Sequence, residues 1–384
     1  MNATLLLGGY TGEAGAGVGI EAVVQTPDAG LVGLGTATVV DSPSYLARHP
    51  RVPVVYAVSE VAGEVRAFGV EGGGEGGADE GGIGSGTEVG PVTGAEQRAA
   101  VTLSPLGAAW PAGDLPCHVA VEPNGRWLVT SSYGDGIVCL FTLDERGAIV
   151  ARFEAAAASD HAAAAGGTPP RPSRAHAALV LPDGRIASTD LGHDLLRIWS
   201  VASSGSSGSS TEGTGERFEL RLDQELALPP GSGPRLLDLH PSGHIYVITE
   251  YSIEIAVVAP VAGSGMYALS GMLPILPAGE APAAGDCGAH ISVDAATARV
   301  HASVRGRNSL HSFGISADGG TLHPLAEIGS GGDWPRHHLQ HDGRLYVANQ
   351  FSNTVTSFAI GDDGLPGALL DELASGAPSC VLAL

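Results

Sequence analysis

The chain contains no lysine; all 19 of its basic residues are arginine. That absence excludes a lysine Schiff base, lysine-bound pyridoxal phosphate and the lysine of a Walker-type phosphate loop. Any anion held by a side-chain cation must be held by arginine or by protonated histidine. Cysteine is scarce as well. Cys117, Cys139, Cys287 and Cys380 lie far apart and form no CxxC pair, so they read as reduced, mostly buried thiols. No run approaches the ~18 uninterrupted apolar residues of a membrane helix. The first ten residues, Met1 to Tyr10, lack a basic region and a long apolar core. No signal peptide is therefore expected, and the protein is expected to be soluble and cytoplasmic. Positive charge is outweighed by 41 acidic residues, giving a net charge of −22. Such a surface repels phosphate backbones and anionic lipids, so neither nucleic acid nor membrane is an expected partner. Two catalytic signatures are missing: there is no GxSxG nucleophile elbow and no HExxH zinc motif.

What the chain does have is glycine, 57 residues of it, with 25 prolines, punctuating short apolar runs. That grammar predicts an all-β protein. The runs also repeat. The clearest copy starts at Pro116-Cys117-His118, turns at Asn124-Gly125 and runs through Trp127–Ser132 into Tyr133. Asn-Gly is the preferred dipeptide of a type I′ hairpin, and that turn is expected here. Further copies begin at Pro43-Ser44-Tyr45, Ala175-His176, Pro234-Arg235, Ala289-His290 and Pro335-Arg336. Positions 45, 118, 176, 236, 290 and 337 are separated by 73, 58, 60, 54 and 47 residues. Trimmed of insertions, the unit is roughly 45 residues, the size of a four-stranded propeller blade. A seventh copy begins at Pro378-Ser379-Cys380 and stops after one strand, while Leu5 to Tyr10 resembles its missing second strand. The prediction is one seven-bladed β-propeller domain over residues 1–384, its ring closed by the two terminal strands sharing a blade. Segments 71–96, 155–172 and 203–215 break the pattern and read as flexible insertions, the second with a possible helical turn.

In a propeller, equivalent positions converge around one axis. The residues opening the innermost strands form one predicted ring: Tyr45, His118, His176, Arg235, His290, Arg336 and His337. The ends of the second strands form a neighbouring ring of Tyr10, Glu60, Tyr133, Asp190, Glu250, Arg305 and Gln350. Histidines, arginines and carboxylates thus converge on one face, as in a binding pocket. His176, Arg235, Glu250 and Arg305 fall on three consecutive blades.

The chain resembles the lactonase family of seven-bladed propellers, which includes the propeller-type 6-phosphogluconolactonases and the fungal carboxy-muconate cyclase. The resemblance runs along the whole chain. It is carried by Gly8-Gly9-Tyr10-Thr11, Pro43-Ser44-Tyr45-Leu46, Pro116-Cys117-His118-Val119, Asp190 to Asp194, Gly233-Pro234-Arg235, Arg305 to Ser309, Pro335-Arg336 and Val347 to Val355. It implies His176, Arg235, Glu250 and Arg305 as catalytic groups, with His118, Asp190, His290, Arg336 and Gln350 as substrate-binding candidates. The family's His-x-His stands here as Arg174-Ala175-His176. The expected activity is hydrolysis of a sugar lactone such as 6-phosphogluconolactone, in carbohydrate metabolism. Glu250 or His176 would be the base, and Arg235 and Arg305 would clamp an anionic group. A lactone cyclo-isomerase, or a non-catalytic propeller binding a metabolite or protein, are the alternatives. No metal or cofactor is expected, although Glu60, Asp190 and Glu250 could imitate the carboxylate set of metal-dependent lactonases. The expected partner is an anionic small molecule, on a monomer or weak homo-oligomer.

Overall fold

The computed structural model describes residues 3–27, 30–72, 101–164, 169–204 and 217–384. They form seven antiparallel sheets of four strands, one of which carries an extra short strand. Blade 1 combines Pro378–Ala383, Ala3–Gly9, Ile20–Thr26 and Gly30–Thr38 from the centre outward. Blades 2 to 7 follow in chain order, their innermost strands being Tyr45–Arg48, Pro116–Val121, Ala175–Val180, Pro234–Leu239, Cys287–Asp294 and Pro335–His341. In blade 2 the short strand Trp110–Pro111 pairs alongside Glu64–Glu71. Helix, among the described residues, is limited to the turns Gly12–Ala14 and His161–Ala164. The latter lies within the expected insertion 155–172. The cores of the other two insertions fall outside the described residues. No helix among the described residues is long and apolar enough to cross a membrane.

The predicted closure is present. Leu5 pairs with Ala383, Leu7 with Val381 and Gly8 with Cys380, and the Leu384 amide donates to the Thr4 carbonyl at 3.0 Å. Each blade alone would leave both sheet faces wet, so the core lies between blades. One cluster joins Leu6, Ile20 and Ala22 of blade 1 to Val55, Ala57 and Phe68 of blade 2. Similar clusters fill the other interfaces. Second strands are therefore buried on both faces, as in Val54–Ser59, Trp127–Ser132 and Ile245–Thr249. Outer strands such as Pro366–Ala374 expose most of their length.

The turn at Asn124-Gly125 differs from the expected type I′. Only Gly125, at φ +69°, has a left-handed backbone, and its amide donates to the Glu122 carbonyl at 2.7 Å. Pro123 fixes its own φ near −65°, so the chain makes a type I turn over Glu122 to Gly125 and ends on a left-handed glycine. The same Pro-x-Gly device closes Pro182-Asp183-Gly184 and Pro241-Ser242-Gly243. A side chain at Gly125 would also meet the His49 ring 2.3 Å away.

Ring closure makes blade 1 the sensitive element. Leu6 is fully buried, and Leu6→Ala is expected to cost about 2–5 kcal/mol of stability. A chain ending at Ala377 is expected to lose its sigmoidal urea transition, followed by tryptophan fluorescence. An unchanged midpoint in the shortened chain would show that the shared blade does not hold the ring.

Candidate functional site

The innermost strands do not enter their sheets smoothly. In blade 5, Pro234 pairs with Thr249 and Leu236 with Ile248, so Arg235 between them is bulged out of the ladder. Cys117, Arg336 and Ser379 are bulged in the same way in blades 3, 7 and 1. Blade 4 shifts register between Ala175 and Ala178, at His176. A bulge turns an extra side chain away from the regular pleat. Here the repeated bulges aim these side chains at one mouth of the channel.

That mouth holds a cleft of about 350 Å³ lined by Tyr10, Ala14, Glu60, Cys117, Tyr133, His176, Arg235, Glu250, Arg305, Arg336 and Gln350. It narrows downward past Ser44, Tyr45, Leu236 and Ser379. Three arginines and two carboxylates face this space, against a chain whose net charge is −22.

Glu250 sits between two of the arginines. Its Oε2 accepts from Arg235 Nε at 2.9 Å and from an Arg305 Nη at 2.8 Å. Arg235 also donates to the Ala289 carbonyl, and Arg305 to the Gly288 carbonyl at 2.9 Å. Burial works to raise the Glu250 carboxyl, but the charges of Arg305 and Arg235 more than offset it and hold the group below its ordinary value. Burial pushes Arg235 down to about 10, assisted by Arg305 and opposed by Glu250; it remains a cation at neutral pH. Arg336 makes no ion pair with a carboxylate among the described residues. It donates to the Gln350 side-chain oxygen at 3.1 Å and lies 5.0 Å from the Tyr10 ring centre. The Tyr10 hydroxyl donates to Glu60 at 3.0 Å. His176 is held well below its ordinary pKa by burial, and then by Arg235 and Arg336, so its ring is neutral. Its Nδ1 and the Nε of Arg305 are buried without a hydrogen-bond partner among the described residues.

The structure thus brings six of the nine expected site residues to one cleft: His176, Arg235, Glu250, Arg305, Arg336 and Gln350. It does not bring the other three there. His118 lies one residue past the bulge and packs on Tyr45 at 4.2 Å, its Nδ1 accepting from the Ala178 amide at 3.4 Å. His290 packs tilted against His337 at 4.0 Å and edge-on against His338 at 4.4 Å. Burial lowers His118 and His337 to about 3, so these channel rings are neutral packing elements. Asp190 is occupied as a turn cap, accepting from the Ser173 hydroxyl and from the Arg174 and His193 amides. Glu60 and Glu250 reach the cleft without Asp190, and no three His, Cys, Asp or Glu side chains among the described residues converge as a metal would require. Cys117 is the lining residue that the thiol reading missed. Its signal was the shared dipeptide Pro116-Cys117, Pro234-Arg235, Pro335-Arg336 and Pro378-Ser379. Burial pushes its thiol well up, so it is protonated.

A family model described as "Lactonase, 7-bladed beta-propeller" matches residues 4–383. The chain is 25% identical over 366 residues to the uncharacterized protein YwcC of Lactococcus lactis, covering 93% of this chain and 92% of that one. It is 24% identical over 252 residues to the 6-phosphogluconolactonase of Bacillus subtilis, covering 64% and 66%. The periplasmic gluconolactonase PpgL of Pseudomonas aeruginosa shares the fold, with a TM-score of 0.79 at 20% identity over 100% and 99% of the two chains. Both the ring geometry and this match along nearly the whole length lead to one statement: the chain belongs to the lactonase family of seven-bladed β-propellers.

Proposed function

We propose that the cleft hydrolyses a lactone bearing an anionic group, with a sugar lactone such as 6-phosphogluconolactone as the first substrate to test. The observation that carries this reading is Glu250 held between Arg235 and Arg305, with Arg336 facing the same space free of any carboxylate partner among the described residues. The names of two similar proteins, a 6-phosphogluconolactonase and a gluconolactonase, agree with it.

Lactone hydrolysis needs an activated water, a stabilised oxyanion and a proton for the departing alkoxide. Glu250 is ionised at neutral pH and fixed in orientation by its two arginines. It takes a proton from water as the water oxygen attacks the lactone carbonyl. The carbonyl oxygen gains negative charge and is stabilised by the remaining N–H groups of Arg305 and Arg235. When the ring C–O bond breaks, Glu250 returns its proton to the ring oxygen. Neutral His176 cannot supply positive charge; it orients the water or the ring oxygen by hydrogen bonding. Arg336 is the anchor for the anionic group, because it makes no ion pair with a carboxylate among the described residues. The expected clamp of Arg235 and Arg305 is thereby redistributed: those two serve the base and the oxyanion, and Arg336 serves the substrate anion.

Arg305→Ala is expected to lower kcat by about two orders of magnitude, the typical worth of one oxyanion donor. Arg336→Ala is expected to act mainly on KM. Steady-state kinetics on 6-phosphogluconolactone, run with and without EDTA, separates the two. Full activity in both Arg235→Ala and Arg305→Ala would remove the site assignment. Absence of turnover with tight ligand stabilisation would favour a non-catalytic binding propeller, and a rearranged lactone product would favour cyclo-isomerisation.

The pH profile gives an independent check. The base form of Glu250 is the carboxylate, so activity is present above its pKa and lost as pH falls through it. Because the arginines lower that pKa, the acid limb of kcat/KM is expected below pH 4.5, the ordinary value. Arg305→Met removes the largest charge opposing burial of Glu250 and is expected to move this limb to higher pH. A limb that stays in place would show that Glu250 is not the base.

A further inference from the structure

Two blades place a glutamate at the same point of the repeat. The Glu250 amide donates to the Gly233 carbonyl at 2.7 Å, and the Glu60 amide donates to the Ser42 carbonyl at 3.0 Å. Each acceptor is the residue before the blade's proline, Pro234 or Pro43. Both glutamates line the cleft. Their partners differ. In blade 5 the residue after the proline is Arg235, which grips Glu250 together with Arg305. In blade 2 it is Ser44, which carries no charge to pair with Glu60. Glu60 makes no ion pair among the described residues, and its side chain has a single hydrogen bond there, from the Tyr10 hydroxyl to Oε2 at 3.0 Å. Burial holds that hydroxyl well above its ordinary pKa, so Tyr10 remains the donor.

Ser44 is 4% exposed, and its hydroxyl has no hydrogen-bond partner among the described residues. It lines the narrow floor of the cleft together with Tyr10, Glu60, Arg235 and Arg336. That floor has a volume of about 20 Å³, room for one water-sized group. The lining restricts what the group is. Glu60 repels an anion, and the two guanidinium groups repel a cation. An apolar group would leave the buried Ser44 hydroxyl unpaired. An alcohol meets every demand, because its O–H donates to Glu60 and its oxygen accepts from Ser44. Tyr10 ties this corner to the anion anchor: its hydroxyl holds Glu60, and Arg336 lies 5.0 Å from its ring centre.

We propose that Glu60 and Ser44 read one hydroxyl group of the ligand, and that Glu60 is thereby a specificity-determining residue for hydroxylated over unsubstituted anionic lactones. The inference rests on the reading of the cleft as an anion-binding lactone site with Arg336 as its anchor. It assigns a task to the second carboxylate, which the hydrolytic step leaves unused. Beside the anchor, Glu60 weakens the binding of every anion by repulsion. A ligand hydroxyl offsets that repulsion and an unsubstituted chain does not, so one side chain both attracts the right ligand and rejects the wrong one.

The probes are glucarate and adipate, dicarboxylates of equal chain length that differ in their hydroxyl groups, with binding measured by calorimetry on the full chain. The wild type is expected to bind glucarate about tenfold more tightly, the scale of one hydrogen bond to a charged group. Glu60→Ala is expected to abolish the ratio through opposite changes: glucarate weakens, and adipate tightens because a negative charge has left the cleft. Disturbed structure alone would weaken both. Glu60→Gln keeps an acceptor oxygen without the charge, so part of the preference should return while adipate stays tight. Ser44→Ala removes a hydroxyl that has no partner among the described residues. It should lower the preference without lowering the unfolding temperature. Equal binding of the two probes to the wild type, binding of neither, or parallel weakening of both in Glu60→Ala would overturn the assignment. Arg305-dependent hydrolysis of 6-phosphogluconolactone without a glucarate preference would remove the hydroxyl subsite and leave the lactonase reading. A Glu60-dependent preference in a protein that opens no lactone would do the reverse.

Discussion

The pairing of Ala3–Gly9 with Pro378–Ala383 is the contact on which the rest of the molecule depends. A propeller blade buries its faces only against its neighbours, so an open array would leave a wet face at each end. Joining the terminal strands in blade 1 removes those faces and forces seven innermost strands to point at one axis. Around that axis the same local irregularity recurs: a bulge just after the strand begins. Repetition turns a local defect into a functional device, because bulged side chains from several blades meet at one mouth. Arg235, Arg336, Cys117 and Ser379 are separated by up to 262 residues in the chain, yet line connected parts of one cavity.

Electrostatics in that cavity are set by scarcity. With no lysine and a large acidic excess, positive charge inside the ring is concentrated on three arginines. Two of them converge on one carboxylate, an arrangement that leaves net positive charge in a partly desolvated space. Desolvation alone would favour a protonated Glu250; the paired guanidinium groups reverse that preference. Burial drives His118, His176 and His337 to their neutral forms. The cleft therefore combines an ionised carboxylate, fixed cations and a neutral ring.

Much of the architecture is legible in local pattern. Blade count, strand order and the split blade follow from the recurrence of Pro-x, turn and apolar run, because each repeat is one self-similar unit. The site is legible only in part. Placing His118 and His290 beside Arg235 assumes a smooth strand, but the bulge shifts the facing residue by one position. In a period-two structure such a shift sends a side chain from the mouth to the interior. Asp190 was misplaced for a different reason. Asp190 pairs with Ala175 as Thr249 pairs with Pro234, so it stands one residue before the Glu250 position, which Leu191 holds. Its carboxylate is captured by amides of its own turn. The turn at Asn124-Gly125 was also misjudged, because the preference of that dipeptide yields to the fixed φ of the proline before it.

By itself the sequence determined the repeat, the closure of the ring and the restriction of cationic chemistry to arginine, all of which reside in composition and short-range periodicity, while its resemblance to the family rests on ordered motifs along the chain. Only the tertiary structure decided that Glu250 lies between Arg235 and Arg305, that Arg336 makes no ion pair with a carboxylate among the described residues, and that Cys117 rather than His118 faces the cleft. Those relations depend on where a bulge turns each side chain and on distances between blades, and neither quantity is encoded in the spacing of residues along the chain.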